Sequence, residues 1–151
     1  MAWCDEASPW QLVALSADGL VRLAAETIEG DFDWVAGAEP FFGPRRDDAQ
    51  AFDRDELAAP HLWRDTHGVL RLFYAGRRGS RWSIGLAIAN RLDFVERFGE
   101  SALLAGSGVG ADALGARAPA ILDHGGGEYT LLYSGLDGAS ERLTFARGRT
   151  R

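Results

Sequence analysis

Two aspartates of this chain, Asp53 and Asp112, stand 59 residues apart, and Glu56 follows the first of them closely. A pair of carboxyl groups suits general acid–base chemistry, in which one group donates a proton and the other accepts one. An aspartate in a loop also commonly accepts hydrogen bonds from nearby backbone N–H groups and so caps a turn. Recurrence at one spacing is expected for both roles, so the sequence leaves both open for Asp53 and Asp112.

The spacing of 59 residues is that of an internal repeat, because residues 59–87 recur as residues 118–146 without a gap. The identities fall on turn glycines, a strand-edge proline and one aromatic, where backbone geometry or packing limits the choice of residue. The identical pairs include Pro60 and Pro119, Gly68 and Gly127, Leu72 and Leu131, Tyr74 and Tyr133, Gly76 and Gly135, Gly79 and Gly138, and Ala87 and Ala146.

Each copy predicts three β-strands. A short apolar run follows the proline, and a polar turn leads to a run rich in aliphatic and aromatic residues, at 69–75 and 129–134. A second turn precedes the third strand, at 82–87 and 141–146. Apolar residues on both faces of the middle strand predict that each small sheet is covered on both sides. Stacked sheets of one repeat each predict a propeller or a solenoid.

The N-terminal part is predicted to be an incomplete copy. An alternating segment over residues 10–16 leads through a hairpin signal into a strand at 20–24. Residues 32–35 resemble residues 93–96, and no opening strand is recognised. The predicted units cover residues 10–42, 58–104 and 117–148 of one partial domain, with three, four and three strands, ten in total. A helix is possible over residues 48–57, although it has no clear apolar stripe.

Composition narrows the classes of partner and cofactor. A net charge of −6 and a pI near 5.0 argue against nucleic acid and anionic membranes, which require a basic face. No apolar run approaches the ~20 residues that span a bilayer, and no signal-peptide core follows Met1, so we expect a cytoplasmic location. Cys4 is the single cysteine and lies far from the histidines, so no metal site is predicted.

A glycine-rich segment at residues 106–111 resembles a dinucleotide-binding turn. Such a turn must be followed by a helix, and Gly115 and Pro119 interrupt any helix at this place. The repeat assigns the residues from Ala120 onward to a strand. We therefore predict no nucleotide cofactor.

The repeat resembles a known enzyme family. Its pattern is a loop aspartate, a proline that opens a strand, a strand ending in Tyr-x-Gly, and a strand of Ile-Gly-Leu-Ala type. This pattern is similar to the five-bladed β-propeller glycosidases of the arabinanase, β-xylosidase and invertase clans, which include glycoside hydrolase families 43 and 32. The resemblance implies an all-β fold of about two and a half four-stranded blades. The matching positions are Asp53, Pro60, residues 73–76 and 83–87, then Asp112, Pro119, residues 132–135 and 143–146.

The resemblance also implies a sugar site at one end of a central channel lined by the first strand of each blade. Enzymes of this kind hydrolyse glycosidic bonds with a carboxylic acid and a carboxylate. In the family these acids commonly stand immediately before, or two residues before, the strand-opening proline. This chain has Ala58 and Ala59 there in one copy, and Arg117 and Ala118 in the other. Asp53 and Asp112 remain as the candidate acid/base pair or as ligands of sugar hydroxyls, and we expect weak or absent glycosidase activity in the isolated chain.

Four further residues are predicted to contact the carbohydrate. Arg117 could hold the carboxylate of an acidic sugar or form a salt bridge to a neighbouring aspartate. His61 could reach a sugar or fill the edge of a blade. Trp82 follows an arginine-rich turn and offers a ring for stacking. Glu56 is the fourth of these residues.

Two classes of function remain open. The chain could be a glycosidase-like protein that acts on or binds a carbohydrate, or a non-catalytic carbohydrate-binding or structural propeller fragment that mediates oligomerisation. An incomplete propeller exposes an apolar blade face and an unpaired strand edge. Two copies of ten strands would provide the roughly twenty strands of five four-stranded blades. We therefore predict self-association, or completion by the rest of a longer polypeptide.

Overall fold

A computed structural model describes residues 2–3, 10–27, 29–34, 39–91 and 94–150, so Cys4 lies outside the described residues. The described chain forms eleven strands in three antiparallel sheets. The first sheet contains β1 (Ala2–Trp3), β2 (Trp10–Ser16), β3 (Gly19–Ala25) and β4 (Asp33–Trp34). The second sheet contains β5 (Glu56–Arg64), β6 (Leu70–Arg78), β7 (Arg81–Arg91) and β8 (Phe94–Arg97). The third sheet contains β9 (Gly115–Gly125), β10 (Glu128–Leu136) and β11 (Glu141–Arg149).

Within each sheet the strands lie side by side in sequence order, as in propeller blades, so the predicted all-β class is confirmed. The prediction that the N-terminal unit lacks its opening strand is wrong. β1 pairs with β2 through Ala2 with Leu12 and Trp3 with Gln11. A strand of two residues is too short for any alternating pattern to reveal it. Two copies of the chain would therefore provide more than the twenty strands on which the assembly prediction was based.

The helix considered over residues 48–57 does not form. These residues make a series of turns, in which the Asp48 carboxylate accepts a hydrogen bond from the backbone N–H of Gln50 at 2.8 Å, and β5 begins at Glu56. Short polar side chains that bond to nearby backbone in this way compete with helix formation. The helical element of the described chain is a single 3-10 turn, Gly110–Asp112, and no helix among the described residues has the length and hydrophobicity required to cross a bilayer.

The second sheet is covered on both faces, as predicted. Leu72 and Tyr74 on β6 pack toward the first sheet, in a cluster with Val13 and Leu20. Phe73, which lies between them, points the other way because side chains alternate along a strand. It packs against the third sheet, in a cluster that includes Trp63, Ile84, Leu86, Ala116, Leu131 and Tyr133. The three sheets therefore form one stack with two apolar layers.

The repeat is preserved in the backbone. The first strand of each copy has a register irregularity at its Ala-Pro pair, opposite Tyr74 in the second sheet and Tyr133 in the third. At these two places Ala59 and Ala118 adopt φ angles of 45° and 51°. A residue with a Cβ atom in this left-handed region costs roughly 1–2 kcal/mol, and the residue before a proline is normally extended. Two equivalent strained residues therefore lie on the strands that the resemblance assigns to the channel.

Candidate functional site

Asp53 is fully buried and is surrounded by cations. Its carboxylate accepts hydrogen bonds from Nε of Arg45 and from Nε of Arg97, each at 2.7 Å, and from the hydroxyl of Tyr74 at 3.1 Å. Burial would raise the pKa of Asp53, but the hydrogen bonds from the two guanidinium groups outweigh burial and hold the pKa below its usual range. The ionised carboxylate connects the loop before β5 to β6, the strand of the second sheet that carries Tyr74.

Asp112 makes the equivalent contact in the third sheet. It accepts a hydrogen bond from the hydroxyl of Tyr133 at 2.8 Å and another from the hydroxyl of Ser107. The Ser107 and Tyr133 bonds hold the pKa of Asp112 below its usual range, and burial with the Asp112 contact raises the pKa of Tyr133 to about 12. Asp112 is partly exposed, whereas Asp53 is not.

A glycine completes each of these Asp–Tyr pairs. A Cβ atom on Gly76 would lie 2.4 Å from Cβ of Asp53, and one on Gly135 would lie 2.6 Å from the carbonyl oxygen of Ala111. Both distances are shorter than non-bonded contact allows. The recurring Tyr-x-Gly ending is therefore explained by the close approach of the aspartate loop to the middle strand.

The two aspartates differ in what they can do chemically. A proton donor works best with a pKa near the operating pH, and both carboxyl pKa values are lowered, so neither group is suited to be the general acid at neutral pH. The contacts of Asp53 favour the alternative of an aspartate that anchors a turn. The catalytic assignment of Asp53 and Asp112 stays a prediction, and of the two only Asp112 is accessible to a ligand.

Arg117 forms the salt bridge that the sequence left open, although its partner is a glutamate rather than an aspartate. Its Nε donates to Oε1 of Glu141 at 3.0 Å, and its Nη2 donates to Oε2 of the same carboxylate. The Arg117 hydrogen bond lowers the pKa of Glu141 to about 2. Both side chains are partly exposed, so solvent screens this pair and a ligand carboxylate could compete with Glu141.

Glu56 and Trp82 lie close together because both flank Arg77. Arg77 pairs with Glu56 of β5 and with Trp82 of β7 in the ladder of the second sheet. Its Nε donates to the Glu56 carboxylate at 2.8 Å, and its guanidinium carbon lies 5.8 Å from the centre of the Trp82 ring. The structure thus brings two of the predicted contact residues together at one end of this sheet, through an arginine that the sequence did not single out.

His61 connects neighbouring sheets. Its Nε2 accepts a hydrogen bond at 3.2 Å from the backbone N–H of Ile121 on β9. Burial lowers the pKa of His61, which keeps the ring neutral and able to accept this bond. This contact corresponds to the blade-edge role, one of the two roles that the sequence left open for His61.

None of the six predicted residues lines either of two cavities in the described chain. One of about 620 Å³ lies on the third sheet against His124, Tyr129 and Arg147. Another, of about 250 Å³, is lined in part by Arg78 and Arg81. The described residues contain no group of three or more histidine, cysteine, aspartate or glutamate side chains placed to hold a metal ion.

Sequence reasoning missed the two arginines that bind Asp53. Arg45 lies in a long polar loop and Arg97 at the end of β8, and neither position has a motif that would mark it. It also missed the strained backbone of Ala59 and Ala118. For these the signal was present, since each precedes the repeated proline at a place where the family commonly has an acid.

No protein-family model matches this chain, and no curated protein matches it. Solved structures are similar to it, and two of them are glycoside hydrolases. One is an endo-1,4-beta-xylanase from Bacteroides thetaiotaomicron VPI-5482, with a TM-score of 0.68 and 16% identity. The other is a thermostable family-43 glycoside hydrolase, with a TM-score of 0.65 and 16% identity.

Each of these comparisons covers 99% of this chain and 49% of the other chain. The chain therefore spans about half the length of the solved structures that it matches. At this level of identity the likeness concerns the fold alone. We conclude that the chain has the fold of about half of a β-propeller glycoside hydrolase.

Proposed function

We propose that the chain is half of a carbohydrate-binding propeller and that it does not hydrolyse the sugar by itself. The observation that carries the proposal is the shared fold, because almost the whole chain superposes on half of two glycoside hydrolases. Fold alone does not specify activity, so the details of the site decide between binding and hydrolysis.

The side chains near the ends of β5 and β9 suit sugar recognition. Glu56 and Arg77 offer a carboxylate and a guanidinium to hydroxyl groups, and Trp82 beside them offers a ring to an apolar sugar face. Arg117 adds a guanidinium that already binds the carboxylate of Glu141 through two nitrogens. This geometry fits the carboxylate of a uronic-acid-like sugar, which would replace Glu141.

The residues at the positions of the family's acids argue against hydrolysis. The positions that commonly hold acids in the family contain Ala58, Ala59, Arg117 and Ala118, none of which can donate a proton at neutral pH. The lowered pKa of Asp112 leaves it suited to accept a proton or a sugar hydroxyl, and unsuited to protonate a leaving group. Hydrolysis would require an acid other than Asp53, Asp112 or a residue at these positions.

Binding is tested by thermal shift and calorimetry with neutral and acidic oligosaccharides of arabinose, xylose, fructose, mannose and uronic acids. We expect a stabilising shift with an acidic sugar and no release of nitrophenol from the corresponding nitrophenyl glycosides. Arg117→Ala should weaken the binding of the acidic sugar, whereas the control Arg142→Ala, which removes another exposed arginine of the third sheet, should not. Equal loss in both variants, or no sugar binding by the native chain, would contradict the proposed site.

A test of turnover separates the two classes of function. If the native chain hydrolyses a nitrophenyl glycoside, Asp112→Asn should lower kcat by roughly 100-fold or more, the scale of losing one acid–base group. Turnover that survives both Asp53→Asn and Asp112→Asn would show that other carboxylates are responsible. Complete absence of sugar binding would favour the structural alternative, a propeller fragment that mediates oligomerisation.

A further inference from the structure

The outer face of the third sheet, away from the second sheet, carries apolar side chains that remain exposed among the described residues. Leu122 is 52% exposed, Leu143 80% and Phe145 64%. Leu132 lies in the middle of this face, because it pairs with Phe145 across β10 and β11. We call these four residues the outer face. Contiguous apolar side chains that remain exposed commonly mark a surface for another protein.

The repeat shows what such a face normally contacts. Moving back 59 residues from the outer face gives four positions of the second sheet. All four are at most 9% exposed, and they form the layer that packs against the third sheet. The third sheet therefore has, at each equivalent position, an apolar residue of the kind that is buried one sheet earlier in the stack. The four equivalent positions of the second sheet are Trp63, Phe73, Ile84 and Leu86.

The edge of the third sheet is also open within the described chain. In the second sheet, β8 pairs with the outer edge of β7. The equivalent strand β11 is paired through all nine of its residues with β10, and it is the terminal strand of its sheet. Long unpaired edges invite association with another chain. Leu143 and Phe145 lie on this strand, so the open edge and the outer face adjoin.

We propose that the outer face docks a second copy of this chain, with the first sheet of that copy packed against it. The first sheet already packs on the second sheet through Val13 and Leu20. On its other side Leu12 and Leu23 pair across β2 and β3, and both are partly exposed. Within the described ranges, both ends of the stack thus present aliphatic side chains.

A second copy has the length that such an occupant requires. Each comparison places this chain on 49% of a glycoside hydrolase chain, so two copies make up about one such chain. Two copies related by a two-fold axis make this head-to-tail contact twice, with the third sheet of each copy against the first sheet of the other. The result is a closed ring, in which no blade face is left exposed. The inference does not require that the chain binds carbohydrate.

The mass of the full chain in solution tests this inference. We expect light scattering and sedimentation between about 1 and 100 µM to show a species of twice 16.4 kDa that forms reversibly. Leu143→Arg places a charge in the centre of the contact and should raise the dissociation constant by roughly 100-fold or more. The matched control is Val109→Arg, because Val109 is an equally exposed apolar residue of a loop, at 74%, and it should leave the dimer intact.

Three results would overturn the inference. The first is a folded chain that stays monomeric over the whole concentration range. The second is an equal effect, or no effect, of the two arginine substitutions. The third is an open ladder of larger species, which would show head-to-tail contact without closure.

A second measurement applies if Leu143→Arg fails to fold. Amide exchange of β11 in the native chain should slow as the concentration rises, because the dimer covers this strand and the monomer does not. Exchange of β11 that is independent of concentration would overturn the inference. This readout uses only the native chain and is unaffected by the failure of a variant.

Discussion

Replacing Asp53 by asparagine tests whether this aspartate anchors the fold. The substitution keeps the shape of the side chain and removes the charge that Arg45 and Arg97 share. Removing one partner of a buried ion pair typically costs about 3–5 kcal/mol, since it leaves a buried charge unpaired. Arg45 retains Glu100, and Arg97 retains the carbonyl oxygen of Gly43, so we expect the lower part of this range, about 3 kcal/mol.

Asp112→Asn is the matched control. Asp112 occupies the equivalent position of the repeat but binds only neutral hydroxyl groups, those of Tyr133 and Ser107. Asparagine can still accept a hydrogen bond there, so we expect a cost of about 1 kcal/mol or less. A difference of about 2 kcal/mol between the two variants corresponds to about 30-fold in the unfolding constant.

Urea unfolding at pH 7 measures both free energies, provided that each variant unfolds in one cooperative transition. The pH dependence provides a second readout. The folded-state pKa of Asp53 is lowered, so its contribution is fully present above the unfolded pKa near 3.9 and is lost as the pH falls through the folded pKa. The difference between the native chain and Asp53→Asn should therefore shrink below about pH 4. Equal costs for the two substitutions, or a difference that is unchanged at low pH, would refute the anchoring role.

Three further outcomes follow from the contacts. Arg117→Ala should shift the midpoint of thermal unfolding by less than about 4 °C, because the pair is screened, and NMR titration should show the pKa of Glu141 rising from about 2 toward its usual value. A large fall in the midpoint would make Arg117 structural. Burial lowers the pKa of His61 in the folded state, so the contribution of His61 to the free energy of unfolding is complete above about pH 6.5 and is lost as the pH falls. If the stability of His61→Ala falls in parallel with that of the native chain below pH 6.5, this expectation is contradicted. Ala59→Gly should not lower the free energy of unfolding in urea, because glycine adopts the left-handed φ of this position without strain. The control Ala14→Gly, within β2, should lower it by roughly 0.5–1 kcal/mol. Equal costs of the two substitutions would show that Ala59 is unstrained.

The sequence predicted the strand content and the stacking of the sheets. Both depend on signals within short stretches, namely turn glycines, aromatic and β-branched runs, and the repeat of 59 residues. The apolar character of both faces of β6 was sufficient to predict that the second sheet is covered on both sides. The two-residue strand β1 could not be predicted, because only its pairing with β2 defines it as a strand and the sequence has no local signal for that pairing.

The sequence alone also determined that Asp53 and Asp112 are equivalent, and it named both of their possible roles. Only the tertiary structure distinguished them. Arg45 and Arg97 approach Asp53 from a loop and from β8, and no local pattern encodes a contact over such separations. Likewise, Glu141 becomes the partner of Arg117 because β9 and β11 lie on either side of β10. This arrangement brings the side chains of the two outer strands together at one end of the sheet. Periodicity is local and can be read along the chain, whereas the environment of a charge depends on which strands the fold brings together.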